Sequence, residues 1–228
     1  MTALVILPGL DGTATMHAAF VEAARKWFDP ISVVNYPTGK ALNYAELETL
    51  VRASLPRERF VLLGESFSGP IALSIATESP SNLVGLILST TFARSPAPWL
   101  SLFAPLIRIA PIRAIPSSIL SWLLLGRWAT EQVKAELQGA LSAVSPAVLR
   151  ARALTTLGVD VSSKLGKISV PALCLRATKD RLLSRAAVDR ITSAIPRAAI
   201  VEVEGPHLLL QAAPLVCAEA VGNFAKSL

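Results

Sequence analysis

The stretch F-V-L-L-G-E-S-F-S-G-P, Phe60 to Pro70, decides how the chain is read. A continuous apolar run, Phe60 to Leu63, stops at Gly64, and a helical apolar run, Ile71 to Ala76, begins just beyond Pro70. A reactive residue at so tight a strand-to-helix turn holds a strained backbone, so its neighbours two before and two after must be small. Ser66 has Gly64 behind it and Ser68 ahead. Ser68 would have Ser66 behind it and the bulkier Pro70 ahead, and Pro70 suits the first helical turn, where its missing N–H costs nothing. Ser66 is therefore the candidate nucleophile. The string departs from G-x-S-x-G, because Ser68 stands where the second glycine belongs and Gly69 comes one residue late. Taken alone, it fits equally well a serine that merely caps the next helix.

The same alternation extends along the chain. Thr2 to Leu7 reads as a strand ended by P-G-L-D-G, followed by Phe20, Ala23, Ala24 and Trp27 at helical spacing. Ile31 to Tyr36 repeats the strand signal. Asn43 with Glu46 forms a capping box before a helix whose stripe is Tyr44, Leu47, Leu50 and Val51. Leu83 to Leu88 gives a fourth strand, Ala172 to Ala177 a fifth and Ala198 to Val203 a sixth. Helices at Val188–Ile195 and Leu210–Phe224 follow the last two. Continuously apolar strands alternating with helices predict an α/β fold, a mostly parallel sheet of about six strands covered on both faces. From Phe92 to Lys167 no strand is legible, and one amphipathic helix, Glu131 to Leu141, stands out. The expected organisation is a core of 1–91 and 168–228 with a helical cap, 92–167, inserted after the fourth strand.

Composition narrows the class. With 228 residues, 52% of them hydrophobic, the chain is neither disordered nor low in complexity. Trp99 to Gly126 is broken by Arg108, Arg113 and three prolines, so no transmembrane segment is expected. The first residues lack a basic start and a cleavage site, which reads as a buried strand rather than an export signal. Cys174 and Cys217 are too few for a disulfide framework or a zinc site and read as small buried residues. The expected location is cytoplasmic, with no cofactor and no metal.

If Ser66 reacts, it needs an acid and a histidine later in the chain, on loops at the carboxyl ends of strands along the same sheet edge. Asp180 follows the fifth strand in R-A-T-K-D, and His207 follows the sixth in E-G-P-H. The only other histidine, His17, precedes the serine and is expected at the surface or facing the cap. Asp189 falls inside a helix, and Ser184 is the expected cap of that helix. The order Ser66, Asp180, His207 resembles the α/β-hydrolase superfamily over nearly the whole chain. The return from the cap, with Leu165, Ile168 and Pro171, and Pro214 seven residues after His207 are similar to its members too. The resemblance implies a carboxylesterase-like serine hydrolase in which His207 takes the Ser66 proton, Asp180 orients the imidazole and an acyl-enzyme forms. It also implies an oxyanion hole of two backbone N–H groups, those of Leu10 and Phe67. The loop L-P-G-L-D-G-T stands where members carry His-Gly-x-Gly, so Pro8 replaces the histidine. Asp11 and Gly12 read as a turn pair, and Glu65 as facing either a neighbouring loop or the substrate.

Charge is uneven. Residues 92–167 hold nine Lys and Arg against three acidic residues, and the remainder is balanced at thirteen of each, so the whole excess of +6 sits in the cap. Trp99, Trp122 and Trp128 among these arginines suit a substrate pocket for an apolar acyl ester or thioester. An anionic acyl carrier or a membrane surface would then lie outside the cap. Packing and solubility alone would also explain them. No nucleic-acid signature is present. Acyl transfer to an alcohol, and a non-catalytic ligand-binding protein on a hydrolase scaffold, are the competing functions.

Overall fold

The computed structural model describes residues 2–105 and 116–228. Six strands form one sheet: β1 (Thr2–Leu7), β2 (Phe28–Val33), β3 (Phe60–Glu65), β4 (Leu83–Ser89), β5 (Ala172–Ala177) and β6 (Ala198–Val203). Their order is β2-β1-β3-β4-β5-β6, and every neighbouring pair is parallel. The first helices are α1 (Ala18–Ala24), α2 (Tyr44–Ser54) and α3 (Gly69–Thr77). Between β4 and β5 come α4 (Ser117–Leu124), α5 (Glu131–Ser142) and α6 (Pro146–Leu157), and the chain closes with α7 (Arg185–Ala194) and α8 (Pro214–Ala225).

The inner strands β1, β3 and β4 are almost continuously apolar because both faces are covered. Val5, Leu7, Phe60 and Leu62 pack with Leu47, Val51, Ile71 and Val188, which places α2, α3 and α7 on one face. The alternate residues Leu4, Ile6, Val61 and Leu63 pack with Phe20, Cys217 and Val221, which places α1 and α8 on the other. All carboxyl ends share one edge of a parallel sheet. Leu7 lies beside Gly64, Glu65 beside Ser89, and Ala177 beside Val203, so the loops after β1, β3, β5 and β6 converge there.

β2 begins and ends three residues earlier than its hydropathy suggests. As an edge strand it is largely exposed, so its apolar pattern is weak. The chain nevertheless stays alongside β1, with Val34 N–H donating to Ile6 O and Tyr36 N–H to Gly12 O. The capping box at α2 forms as read, with Asn43 and Glu46 each accepting the other's backbone N–H.

The inserted segment leaves and rejoins the sheet layer through a short neck. Arg94 bridges Asp160, Ser95 N–H donates to Val159 O and Val161 N–H to Ala93 O. Of its helices, α5 matches the expected amphipathic one, with the Thr130 side chain accepting from Val133 N–H. α4 lacks a polar face to mark it, and its Ile119 and Trp122 stay exposed. α6 has a legible start, Ser145 then Pro146, but its buried face is Val148, Leu149 and Arg152. A charged residue in the inward stripe breaks the apolar period. Arg108, Pro111 and Arg113 lie outside the described residues. No helix among the described residues is long and apolar enough to cross a membrane.

Among the described glycines, the one with least room for a side chain lies where α3 begins. A Cβ on Gly69 would sit 1.8 Å from Thr91 Oγ1 and 2.6 Å from Thr91 Cβ. Gly69→Ala is expected to lower stability by about 1–3 kcal/mol in urea denaturation. Gly39→Ala, with nothing within 4 Å of the new methyl, should be nearly neutral.

Candidate active site

Ser66 occupies the turn between β3 and α3 with φ of 46°, a left-handed conformation that costs a non-glycine residue on the order of 1–3 kcal/mol. Its surroundings over-determine that backbone. Ser66 O accepts from the Gly69 N–H and from Thr91 Oγ1. A Cβ at Gly64 would stand 2.7 Å from Ala72 Cβ, so only glycine lets α3 approach β3 this closely.

Ser66 Oγ lies 2.8 Å from His207 Nε2, and His207 Nδ1 lies 2.9 Å from Asp180 Oδ2. The second Asp180 oxygen, Oδ1, accepts from the backbone N–H groups of Leu182 and Leu183 at 2.7 and 3.0 Å. An ionised carboxylate only accepts, so the proton sits on Nδ1 and Nε2 is left to accept from the serine hydroxyl. Asp180 thus serves both its local turn and His207. Ser184 stands at the N-cap position of α7, as expected, but its side chain makes no capping hydrogen bond. Asp189 is engaged by Arg176 at 2.6 Å.

The backbone of Phe67 is fixed from three sides. Tyr44 stacks on its ring with centroids 4.9 Å apart, Tyr36 meets it edge-on, and Tyr44 OH donates to Phe67 O. Across the site, the loop after β1 presents Leu10. Neither the Leu10 nor the Phe67 N–H donates to an acceptor among the described residues. Asp11 turns inward as a turn residue, its carboxylate accepting from Thr13 N–H and Thr13 Oγ1.

His17 stands elsewhere than expected, 1% exposed rather than at the surface, and Glu65, also 1% exposed, faces the connection after β1 that carries His17. Their side chains meet at 2.8 Å. Burial opposes both charges, but the attraction and hydrogen bond between them prevail, so the His17 pKa is raised and the Glu65 carboxyl is lowered. Gln211 adjoins the carboxylate, yet Glu65 Oε1 forms no hydrogen bond of normal geometry. Sequence spacing carries no signal for this pair, since 48 positions separate it. Cys174 and Cys217 are buried and free, and burial pushes both thiols up to about 12, so neither competes as a nucleophile.

A cavity of about 860 Å³ opens among α4, α5, α6 and Leu10. Leu10, Leu120, Trp122, Leu137, Leu141 and Leu149 supply its apolar lining. Of the three tryptophans, Trp122 lines it, with Arg181 stacked 4.4 Å above the ring. Trp128 lines a smaller recess beside Asp180, under Arg127. Trp99 does not line the cavity. It is 62% exposed and meets Phe103 edge-on, because its short 3-10 helix, Pro98–Phe103, buries no residue. Of the basic residues in the insertion, Arg152 is buried, while Arg94 pairs with Asp160, Arg127 with Glu204 and Lys134 with Glu131.

The family model described as serine aminopeptidase, S33, matches residues 43–205, which include Ser66 and Asp180. The chain belongs to this α/β-hydrolase family. The hydrolase fold extends beyond the match. The enol-lactonase from Burkholderia xenovorans LB400 superposes with a TM-score of 0.84 at 20% identity, covering 99% of this chain and 91% of that one. MenH from S. aureus gives 0.82 at 18% identity over 99% and 94%. An esterase from Exiguobacterium antarcticum gives 0.84 at 14% over 99% and 92%. No curated protein matches the chain.

The buried pair yields a pH-dependent expectation. His17→Gln leaves Glu65 charged and uncompensated, and should destabilise the protein by about 3–5 kcal/mol at pH 6. A raised histidine pKa contributes stability that is fully present below 6.5 and lost as pH rises through the folded value. The gap between parent and variant, measured by denaturant titration at pH 6 and pH 9, should therefore narrow at the higher pH.

Proposed function

We propose that the chain is a serine hydrolase of carboxylic esters, with thioesters as near substrates, acting on an apolar acyl group. The observation that carries the reading is the 2.8 Å contact of Ser66 Oγ with a histidine whose other nitrogen meets a carboxylate. In this reading His207 removes the Ser66 proton during attack, and Asp180 stabilises the imidazolium that results. The tetrahedral oxyanion forms against the Leu10 and Phe67 N–H groups, each worth about two to three powers of ten in rate. Collapse expels the alcohol with the proton returned by His207, and water, activated by the same imidazole, releases the acid.

The insertion, residues 92–167, acts as the cap, and the cavity between its helices and Leu10 as the acyl site. Its leucine-rich lining beside Leu10 suits a hydrocarbon chain. The family description mentions an aminopeptidase, which would need an acid free to bind a substrate ammonium. The acids beside the nucleophile, Glu65 and Asp11, are already engaged by His17 and Thr13, which favours an ester. Elsewhere in the cap, Trp99, Leu102, Phe103 and Ile119 stand exposed. Aromatic and aliphatic side chains of this kind favour a membrane surface over an acyl carrier as the source of substrate.

Ser66→Ala should reduce turnover of a p-nitrophenyl ester by about four to six powers of ten while leaving the thermal transition in place. A folded variant with parental activity would rule the nucleophile out. Sedimentation with phosphatidylglycerol vesicles should retain the parent and release a Trp99→Ser, Leu102→Ser variant. Equal partition of the two would remove the membrane reading.

A further inference from the structure

Four consecutive carbonyls in the loop after β1 are each held by a donor. Pro8 O accepts from Ser68 Oγ, which also meets Tyr36 OH at 2.8 Å. Gly9 O accepts from Gly12 N–H at 3.0 Å. Leu10 O and Asp11 O both accept from Arg152 Nη1, at 3.0 and 2.6 Å, while Nη2 reaches Pro37 O at 3.0 Å. The loop has little freedom left, and the Leu10 N–H stays without an acceptor among the described residues.

Arg152 belongs to the insertion, on α6, and is 1% exposed. Burying a guanidinium is costly unless its N–H groups are satisfied, and a buried charge seldom stabilises better than an apolar side chain of similar volume. Among the described residues no carboxylate lies within ion-pair distance of it. Its partners are main-chain carbonyls of the loop that carries Leu10 and of the segment beside it. The fold makes room for it there. Gly12 has φ of +69°, and a Cβ at that position would lie 2.4 Å from Nη1. A cation placed this way gives conformational definition to one loop rather than general stability.

We propose that Arg152, with Ser68, is a positioning residue of the oxyanion hole, reaching from the insertion to fix the peptide planes on either side of the one that aims the Leu10 N–H at the substrate carbonyl. The inference rests on the serine-hydrolase reading above. It makes the two departures from the usual motifs a single device. Ser68, in place of the second glycine, anchors Pro8, which stands in place of the histidine, and Arg152 anchors the carbonyls of Leu10 and Asp11, beyond the Gly9 carbonyl held by Gly12 N–H. It also links the acyl cavity to the reacting centre. Leu149 lines the cavity one helical turn before Arg152, on the same face of α6.

The test compares the parent with Arg152→Met and Ser68→Ala on a p-nitrophenyl ester, alongside the affinity of an alkyl trifluoromethyl ketone that forms a tetrahedral oxyanion on the serine. Arg152→Met should lower kcat by about 10²- to 10³-fold with KM changed less than about threefold, and should weaken the ketone by a similar factor. Ser68→Ala should move both quantities in the same direction by about tenfold. A folded Arg152→Met that keeps parental kcat overturns the proposal, as does one that loses kcat with ketone affinity intact. If Arg152→Met does not fold, Ser68→Ala decides alone, and parental kcat and ketone affinity in it overturn the proposal. A parent with no esterase activity would instead sink the serine-hydrolase reading.

Discussion

The close approach of α3 to β3 and β4 at Gly64 and Gly69 is the constraint on which the site depends. No side chain larger than hydrogen fits at either position without moving Ala72 or Thr91. This contact forces the chain through a left-handed residue at Ser66, and the Gly69 and Thr91 donors hold the Ser66 carbonyl in that geometry. The strain is supported by the packing of the sheet layer, so that in the proposed mechanism the serine hydroxyl is presented before any substrate arrives. The parallel sheet then sets the positions of its partners. The loops after β5 and β6 emerge from the same edge, and Asp180 and His207 reach Ser66 from two strands away and beyond.

Around this turn the polar groups fall into separate layers. Above it the Leu10 and Phe67 amides remain open, with Phe67 braced by two tyrosines. The His17 and Glu65 pair, at the end of β3, lies in nearly complete burial. To one side Arg152 crosses from the insertion into the core. Each buried charge is matched by a specific acceptor or donor, as the low polarity of its surroundings requires.

Much of the architecture was legible because it is written in local, periodic signals. The six strands, the capping box at Asn43 and the amphipathic α5 follow from apolar runs and cap residues, and the order Ser66, Asp180, His207 follows from their places after strands. What the sequence concealed depends on contacts between distant positions. Burial of His17 against Glu65 has no local signature. The helix α6 was hidden because Arg152 interrupts its inward stripe, and that residue was counted with a basic surface when it lies in the core. Trp99 was placed in a pocket on residue type alone, whereas its position on a 3-10 turn leaves it exposed. The role of Ser68 was the least legible. A serine in a glycine's place looks like a defect until its hydroxyl is seen on Pro8 O.

The central claim is that the turn activates Ser66 and not its neighbour two residues on. The most direct measurement is brief exposure to a fluorophosphonate followed by tryptic mapping. The account predicts one adduct within minutes, in the peptide from Phe60 to Arg94 and localised by fragmentation to Ser66. No adduct, or an adduct on Ser68 or on another peptide, would contradict it.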